Sequence, residues 1–278
     1  MAYRTVLVHL DLDPHCAARV ACAAGLVAPG GVLVGAAMSG VSRRLYRAPL
    51  QAEADQYLAL HLDFLRERAH TALAAFREQV AASGMPAHEA RLVDDEASSG
   101  LGLEARVADL LVVSQPDDGN DLVAQVLPQA GRPVLVLPKD DAVAELPRRI
   151  LVAWDASREA GRALAGALPL LRQADAVELV VCETEPGGTL MRDVQMADPL
   201  PWLARHGVQA TLRSHTVAGI GRFNRNVVGE ALLSLAAAGN VDLMVMGAYA
   251  HSRLRETFLG GVTRTVLAHM RVPVLLEH

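Results

Sequence analysis

The sequence predicts an α/β chain of two doubly wound, parallel-sheet domains in tandem. Three observations carry that prediction: an internal repeat, short apolar runs that do not alternate with polar residues, and helical patterns between those runs. The repeat shows as three marks in one order. Val6-Leu7-Val8-His9-Leu10-Asp11 matches Ile150-Leu151-Val152-Ala153-Trp154-Asp155 at an offset of 144 residues. Asp109-Leu110-Leu111-Val112-Val113 matches Asp242-Leu243-Met244-Val245-Met246 at an offset of 133. Pro133-Val134-Leu135-Val136 matches Pro273-Val274-Leu275-Leu276 at an offset of 140. All three offsets are close to half of the 278 residues. The polar stretch from Lys139-Asp140-Asp141 to Pro147 is the natural linker, so the expected domains are 1–138 and 148–278.

Non-alternating apolar runs read as strands buried on both faces, which is the signature of parallel pairing under helices. In the first half the expected strands are the run ending in Asp11, then Gly31–Ala37, Leu110–Val113 and Val134–Val136. A long amphipathic helix is expected at Glu53–Ala82, covering the sheet through Leu58, Leu62, Leu65 and Ala69. In the second half Ser157 is the expected N-cap of a helix carrying Ala160, Leu164, Leu168 and Leu171. A strand at Val177–Cys182 follows, then a loop with Pro186, Gly187 and Gly188, then a helix after Pro199 and Pro201. Ala210–Val217, Leu243–Met246 and Val272–Leu276 complete the strands, with helices at Val227–Ala238 and Val262–His269. Alternating strands and helices make each half a Rossmann-like fold, expected in the flavodoxin-like strand order.

Composition bounds the function classes. Hydrophobic residues are 51% and charged residues 21%, the balance of a folded chain with a substantial core. The formal charge of −5 and the lack of a basic tract argue against binding nucleic acid by phosphate neutralisation. The apolar runs reach about nine residues, as at 20–28, against the ~20 needed to cross a bilayer. The start Met1-Ala2-Tyr3-Arg4 runs straight into Val6-Leu7-Val8 without a signal-peptide pattern, so a cytoplasmic, membrane-free protein is expected. Cys16, Cys22 and Cys182 form no zinc pattern and read as small buried hydrophobes. There is no GxxxxGK[ST], no GxSxG and no HExxH. The loop with Gly219, Gly221, Arg222 and Arg225 is a broken GxGxxG after the wrong strand. Asp11-Leu12-Asp13 resembles a DxD cation pair, a pattern that strand-end loops also produce.

Ligands of such folds sit at the carboxyl ends of the strands. In the second half those ends carry Asp155 and Gly247. Gly247 opens a segment running through Ala250, His251, Ser252, Arg253 and Arg255 to Gly260-Gly261 and Thr263. Two glycines before a helix let backbone N–H groups approach an anion, and the helix dipole favours negative charge there. They also make an ordinary turn.

The run from Val245-Met246-Gly247 to Gly260-Gly261-Val262-Thr263, ending in Val272-Pro273-Val274, resembles the universal stress protein family. So does Ile150-Leu151-Val152-Ala153-Trp154-Asp155-Ala156-Ser157. The ATP-binding branch of that family carries Gly-x-x-Gly, nine residues, then Gly and a Ser or Thr. Gly247 and Gly260 match it, whereas Ala250 and Gly261 depart from it. The resemblance implies a stress-response module that takes ATP, with Mg²⁺, in its second domain. The residues implied are Asp155, Ala156, Gly247, Ala250, Gly260, Gly261 and Thr263. No general base is evident, so at most slow hydrolysis is expected. In the first half Ser114-Gln115-Pro116 stands in place of the glycine entry. Asp109 to Pro133 spans 24 residues against 31 from Asp242 to Pro273, so the phosphate loop is missing there. That half is expected to be a built-in partner domain, giving an intramolecular pseudo-dimer that leaves homodimers and protein partners open. The alternative is a nucleotide-free interaction protein with vestigial clefts.

Overall fold

A computed structural model of the chain describes residues 3–40, 55–84, 87–116, 121–139, 146–183, 189–218, 226–248 and 260–278. The first half runs β1 (Tyr3–Leu10), α1 (Cys16–Gly25), β2 (Val27–Met38), α2 (Asp55–Ser83), β3 (His88–Val93), α3 (Ala97–Glu104), β4 (Leu110–Ser114), α4 (Leu122–Ala130) and β5 (Val134–Leu137). The second half begins with β6 (Arg149–Ala153), α5 (Arg158–Gly166), a one-turn α6 (Leu168–Leu171) and β7 (Ala176–Glu183). It continues with α7 (Thr189–Met196), α8 (Leu200–Arg205), β8 (Ala210–Thr216), α9 (Asn226–Ala238), β9 (Leu243–Gly247), α10 (Gly261–His269) and β10 (Val274–Glu277). Helix α7 falls where only a loop was expected. Its neighbours Pro186, Gly187 and Gly188 are strong turn signals that mask a short helix behind them.

All ten strands form one sheet, in the order β3-β2-β1-β4-β5-β10-β9-β6-β7-β8. Each half therefore has its strands in the order 3-2-1-4-5, the Rossmann order, and the expected flavodoxin-like order is corrected. Third strands explain the difference. In β8 the sequence ATLRSHT leaves nearly every second side chain exposed, and β3 begins with two exposed residues. Such strands belong at sheet edges, where one flank meets solvent. Every pairing is parallel except β5 with β10, which is antiparallel with Val274 opposite Val136, Leu275 opposite Leu135 and Leu276 opposite Val134.

The repeat is visible in hydrogen bonds as well as in sequence. The carboxylate of Asp109 accepts from the backbone N–H groups of Arg4 and Thr5 at 3.0 and 2.9 Å. Asp242 accepts in the same way from Arg148 and Arg149 at 2.9 and 2.8 Å. Each aspartate thus ties the start of its own half's fourth strand to the start of the first. At the other end, Gln115 N–H donates to Leu137 and Ala248 N–H to Glu277, at 2.7 and 2.9 Å.

The core lies on both faces of the sheet. One layer joins Val6, Val8, Val152, Leu179 and Val245 under α1, α2, α5 and α8; the other joins Leu111, Val136, Met244 and Leu276 under α4, α9 and α10. Helix α2 covers the sheet with Ala69, Ala72, Leu73, Phe76 and Val80; of the expected cover residues Leu62 and Leu65 are only half-buried and the Leu58 side chain lies outside the described residues. Toward its start Leu60 and Phe64 are exposed instead. The three cysteines are free; burial pushes Cys22 up to about 12 and Cys182 up to about 11, which keeps both as inert thiols. Among the described residues no helix is long and apolar enough to cross a membrane.

Side-chain hydrogen bonds also join the halves beyond the strand pairing. The Tyr3 hydroxyl donates to the Gly166 carbonyl at 2.8 Å, and the Gln115 amide donates to the Leu267 carbonyl at 2.7 Å. Replacing Tyr3 with Phe leaves the Gly166 carbonyl without this donor at a part-buried site, a loss of about 1 kcal/mol. Thermal unfolding should fall by about 2 °C in that variant, with the transition still cooperative. An unchanged melting temperature would show that the hydroxyl bond carries no net stability.

Candidate functional site

In the second half the chain leaves β6 through Trp154 and Asp155. Asp155 accepts from Ser157 N–H at 3.0 Å, which bends the chain into α5. Ser157 then caps that helix by accepting from Ala160 N–H at 3.1 Å. Between them Ala156 sits at φ 56°, in the left-handed region. That conformation costs an alanine on the order of 1 kcal/mol. It lies at the carboxyl end of the central strand, where such strain gathers in ligand-binding folds.

Ala153 pairs with Met246, so Asp155 and Gly247 stand at adjacent strand ends. A Cβ on Gly247 would lie 2.5 Å from Ala160 N and 2.6 Å from the Glu159 carbonyl carbon. Gly247 is therefore a packing glycine that lets the first turn of α5 approach β9. That duty needs no ligand, and it qualifies the reading of Gly247 as a phosphate-approach residue. Gly260 behaves differently. It is the N-cap of α10, its carbonyl accepts from Arg264 N–H at 2.9 Å, and a Cβ there would meet nothing within 4 Å among the described residues. The first turn of α10, from Gly261 to Thr263, therefore starts from an open position, and its N–H groups have no partner within the helix. Thr263 itself is only 2% exposed. The remaining expected site residue, Ala250, lies outside the described residues. So do His251, Ser252, Arg253 and Arg255, together with the loop of Gly219, Gly221, Arg222 and Arg225.

The matching corner of the first half is built for something else. Arg19, on α1, is 1% exposed. Its Nε donates to the His9 carbonyl at 2.8 Å and its Nη2 to Asp11 Oδ1 at 2.6 Å, while Nη1 donates to Ser114 Oγ. One guanidinium thus joins the ends of β1 and β4. By the repeat offsets Asp11 corresponds to Asp155, Ser114 to Gly247 and Arg19 to Ala163. The two carboxylates of the DxD pair are engaged within the chain, Asp11 with Arg19 and Asp13 with His15 Nδ1 at 2.8 Å. Burial pushes the Asp11 carboxyl up, but Arg19 and His9 outweigh it and hold the group below its ordinary value. The signal for this arrangement was in the sequence: one arginine in the otherwise small and apolar CAARVACAAG. It is invisible to a motif search.

The family model described as "Universal stress protein family" matches residues 147–277. The second half of this chain is a universal stress protein domain. A universal stress protein from Archaeoglobus fulgidus shares the fold over 98% of this chain and 95% of its own, with a TM-score of 0.71 and 16% identity. A Pseudomonas aeruginosa protein named for the same family covers 99% of this chain and 93% of its own, with a TM-score of 0.58 and 16% identity. The cytoplasmic domain of a prokaryotic cation chloride cotransporter covers 98% and 94%, with a TM-score of 0.51 and 12% identity. These three likenesses are ones of fold, and they extend over both halves. No curated protein matches the sequence.

Two predictions follow from the contrast between the two corners. In the universal stress protein domain, Gly247→Ala forces a methyl group against the α5 backbone. It should cost about 1–3 kcal/mol, read as a lower denaturant midpoint with unchanged slope. A neutral outcome would return Gly247 to a purely ligand-facing role. In the first half, burial pushes His9 down to about 4, against the pull of Asp11 and Asp13 and alongside the repulsion of Arg19. The unfolded chain takes up a proton near 6.5 and the folded chain resists it until about 4. The stability His9 contributes is thus complete above pH 6.5 and is lost as pH falls toward 4. Melting temperatures taken across that window should fall steeply in the wild type and less steeply in His9→Asn; parallel curves would refute the assignment.

Proposed function

We propose that this protein is a stress-response module whose second domain binds ATP at the carboxyl ends of β6 and β9. One observation carries the reading: the open N-terminus of α10 at Gly260. It follows the strand end that neighbours Asp155, in a domain of a family with an ATP-binding branch. The N–H groups of Gly261, Val262 and Thr263 suit a phosphate, favoured further by the helix dipole. Asp155 and the strained Ala156 turn stand beside the adjacent strand end, where the resemblance puts the nucleoside. Ala250 belongs to the same set. Mg²⁺ would accompany the triphosphate and share its charge. The chain's own residues bind and orient here; none is placed as a base for hydrolysis.

The first domain, in this reading, takes no nucleotide. Arg19 fills its corner with a fixed guanidinium, and the domain serves as the built-in partner of the second. The cytoplasm is the proposed location. A second reading is favoured by Gly247, which packs against α5, and by Ala250 and Gly261, which depart from the family's pattern. In that reading both clefts are vestigial and the fold presents surfaces to protein partners.

Titration calorimetry with MgATP distinguishes the two. Gly260→Asp puts a side chain and a negative charge into open space, so it should leave the fold intact and abolish binding. Micromolar binding by the wild type and none by the variant supports the nucleotide site. No binding at millimolar MgATP, or equal binding by both proteins, refutes it.

A further inference from the structure

The seam between the halves holds a cleft of about 400 Å³. It shares no lining residue with the candidate nucleotide site. Because β5 and β10 are antiparallel, the cleft mixes opposite ends of the two sheets. The first half contributes the start of β1, with Tyr3 and Arg4, and the turn before β5, with Arg132 and Pro133. The second half contributes Arg162 and Gly166 on α5 and Glu277 at the end of β10.

Charge in this cleft is unbalanced. The lining holds three arginines, Arg4, Arg132 and Arg162, and two acidic residues, Asp109 and Glu277; Arg132 Nη2 also donates to the Arg106 carbonyl at 3.4 Å. The Asp109 carboxylate is already engaged by the N–H groups of Arg4 and Thr5. Glu277 Oε2 is buried, with no hydrogen-bond partner among the described residues. The room it occupies exists because residue 166 is glycine: a Cβ there would lie 2.6 Å from Oε2 and 2.5 Å from Pro133 Cγ. Burial pushes the Glu277 carboxyl up to about 7, against the pull of Arg162 and Arg132. Near neutral pH it therefore carries a proton part of the time, and the negative charge facing Arg132 and Arg162 is then reduced. The other groups at this end are the Tyr3 hydroxyl, which donates to Gly166, and His278, whose carbonyl accepts from Arg162 Nη1 at 2.8 Å.

We infer that the seam cleft is an anion site that takes a tetrahedral dianion between Arg132 of the first domain and Arg162 of the second. The fork of arginine matches the paired oxygens of such a group. Two guanidinium groups from different domains give the ligand a hold on both. The cleft is large enough for the dianion to be the end group of a small phosphomonoester as well as a free ion. Glu277 makes the site proton-linked. Ionised, it competes for the arginines and repels the ligand; protonated, it can donate to a ligand oxygen.

Sulfate is the probe, since its charge does not change between pH 6 and 8. Binding is read from amide shifts of Gly131 and Gly166, which line the cleft. The wild type should bind saturably at pH 6, and affinity should fall about ten-fold by pH 8 as Glu277 ionises. Glu277→Gln should bind with little pH dependence, which separates Glu277 from His278. The double variant Arg132→Gln/Arg162→Gln alters exposed side chains, so it should fold and not bind; thermal unfolding checks the fold. No saturable shift in the wild type overturns the inference. So does undiminished binding by the folded double variant, or full pH dependence in Glu277→Gln. Glycerol phosphate compared with sulfate at pH 7, where both are largely dianionic, distinguishes the sources of the same chemistry. Tighter binding than sulfate assigns the site to a phosphomonoester, and equal binding assigns it to the free ion.

Discussion

The antiparallel pairing of β5 with β10 is the constraint on which the rest of the molecule depends. Each half ends on a short apolar strand buried on both faces, VLVL in one and VLLE in the other. Alone, either strand would be an exposed sheet edge, with a row of unpaired backbone groups inviting association. Pairing the two edges removes both and turns two five-stranded sheets into one of ten. The polar third strands are left outside, where their exposed side chains belong. Because this one pairing is antiparallel, the carboxyl ends of the two halves point in opposite directions. The two strand-end corners therefore lie at opposite ends of the sheet.

The same repeat has been used for two different ends. Both halves place an aspartate after their first strand and bend there through a side-chain bond to the residue two positions on, Asp11 to Asp13 and Asp155 to Ser157. Beyond that shared turn they diverge. Arg19 fills the first corner, and breaking such a buried pair would leave an uncompensated charge costing about 3–5 kcal/mol. Ala163 stands at the equivalent position in the second half and brings no charge. Arg19 closes one corner, and in the proposed reading the first turn of α10 receives an anion at the other. The tandem arrangement thus holds a structural domain and a candidate binding domain in one sheet.

Much of the fold was legible because buried parallel strands must be apolar without alternation, and helices over them must show a 3.6-residue period. The long helix α2 and the strands β7 and β9 lie within two residues of their expected bounds. Strand order was not legible, since pairing is decided between segments far apart in sequence. Helix α7 was hidden behind a Pro-Gly-Gly loop. For the candidate site, Asp155 and Gly260 were legible as a strand end and a helix start. The duty of Gly247 was not, because a glycine needed for packing and one needed for a phosphate look alike in a sequence.

By itself the sequence determined the α/β class, the two-fold repeat and the family likeness of residues 147–277. Each of these is written in local pattern, which spacing and residue type express directly. Only the tertiary structure decided that the halves share one sheet. It also decided that Arg19 closes the first corner and that Arg132, Arg162 and Glu277 meet at a seam. Those outcomes depend on groups distant in the chain, 95 residues apart for Arg19 and Ser114 and 145 for Arg132 and Glu277. No local pattern records such distances.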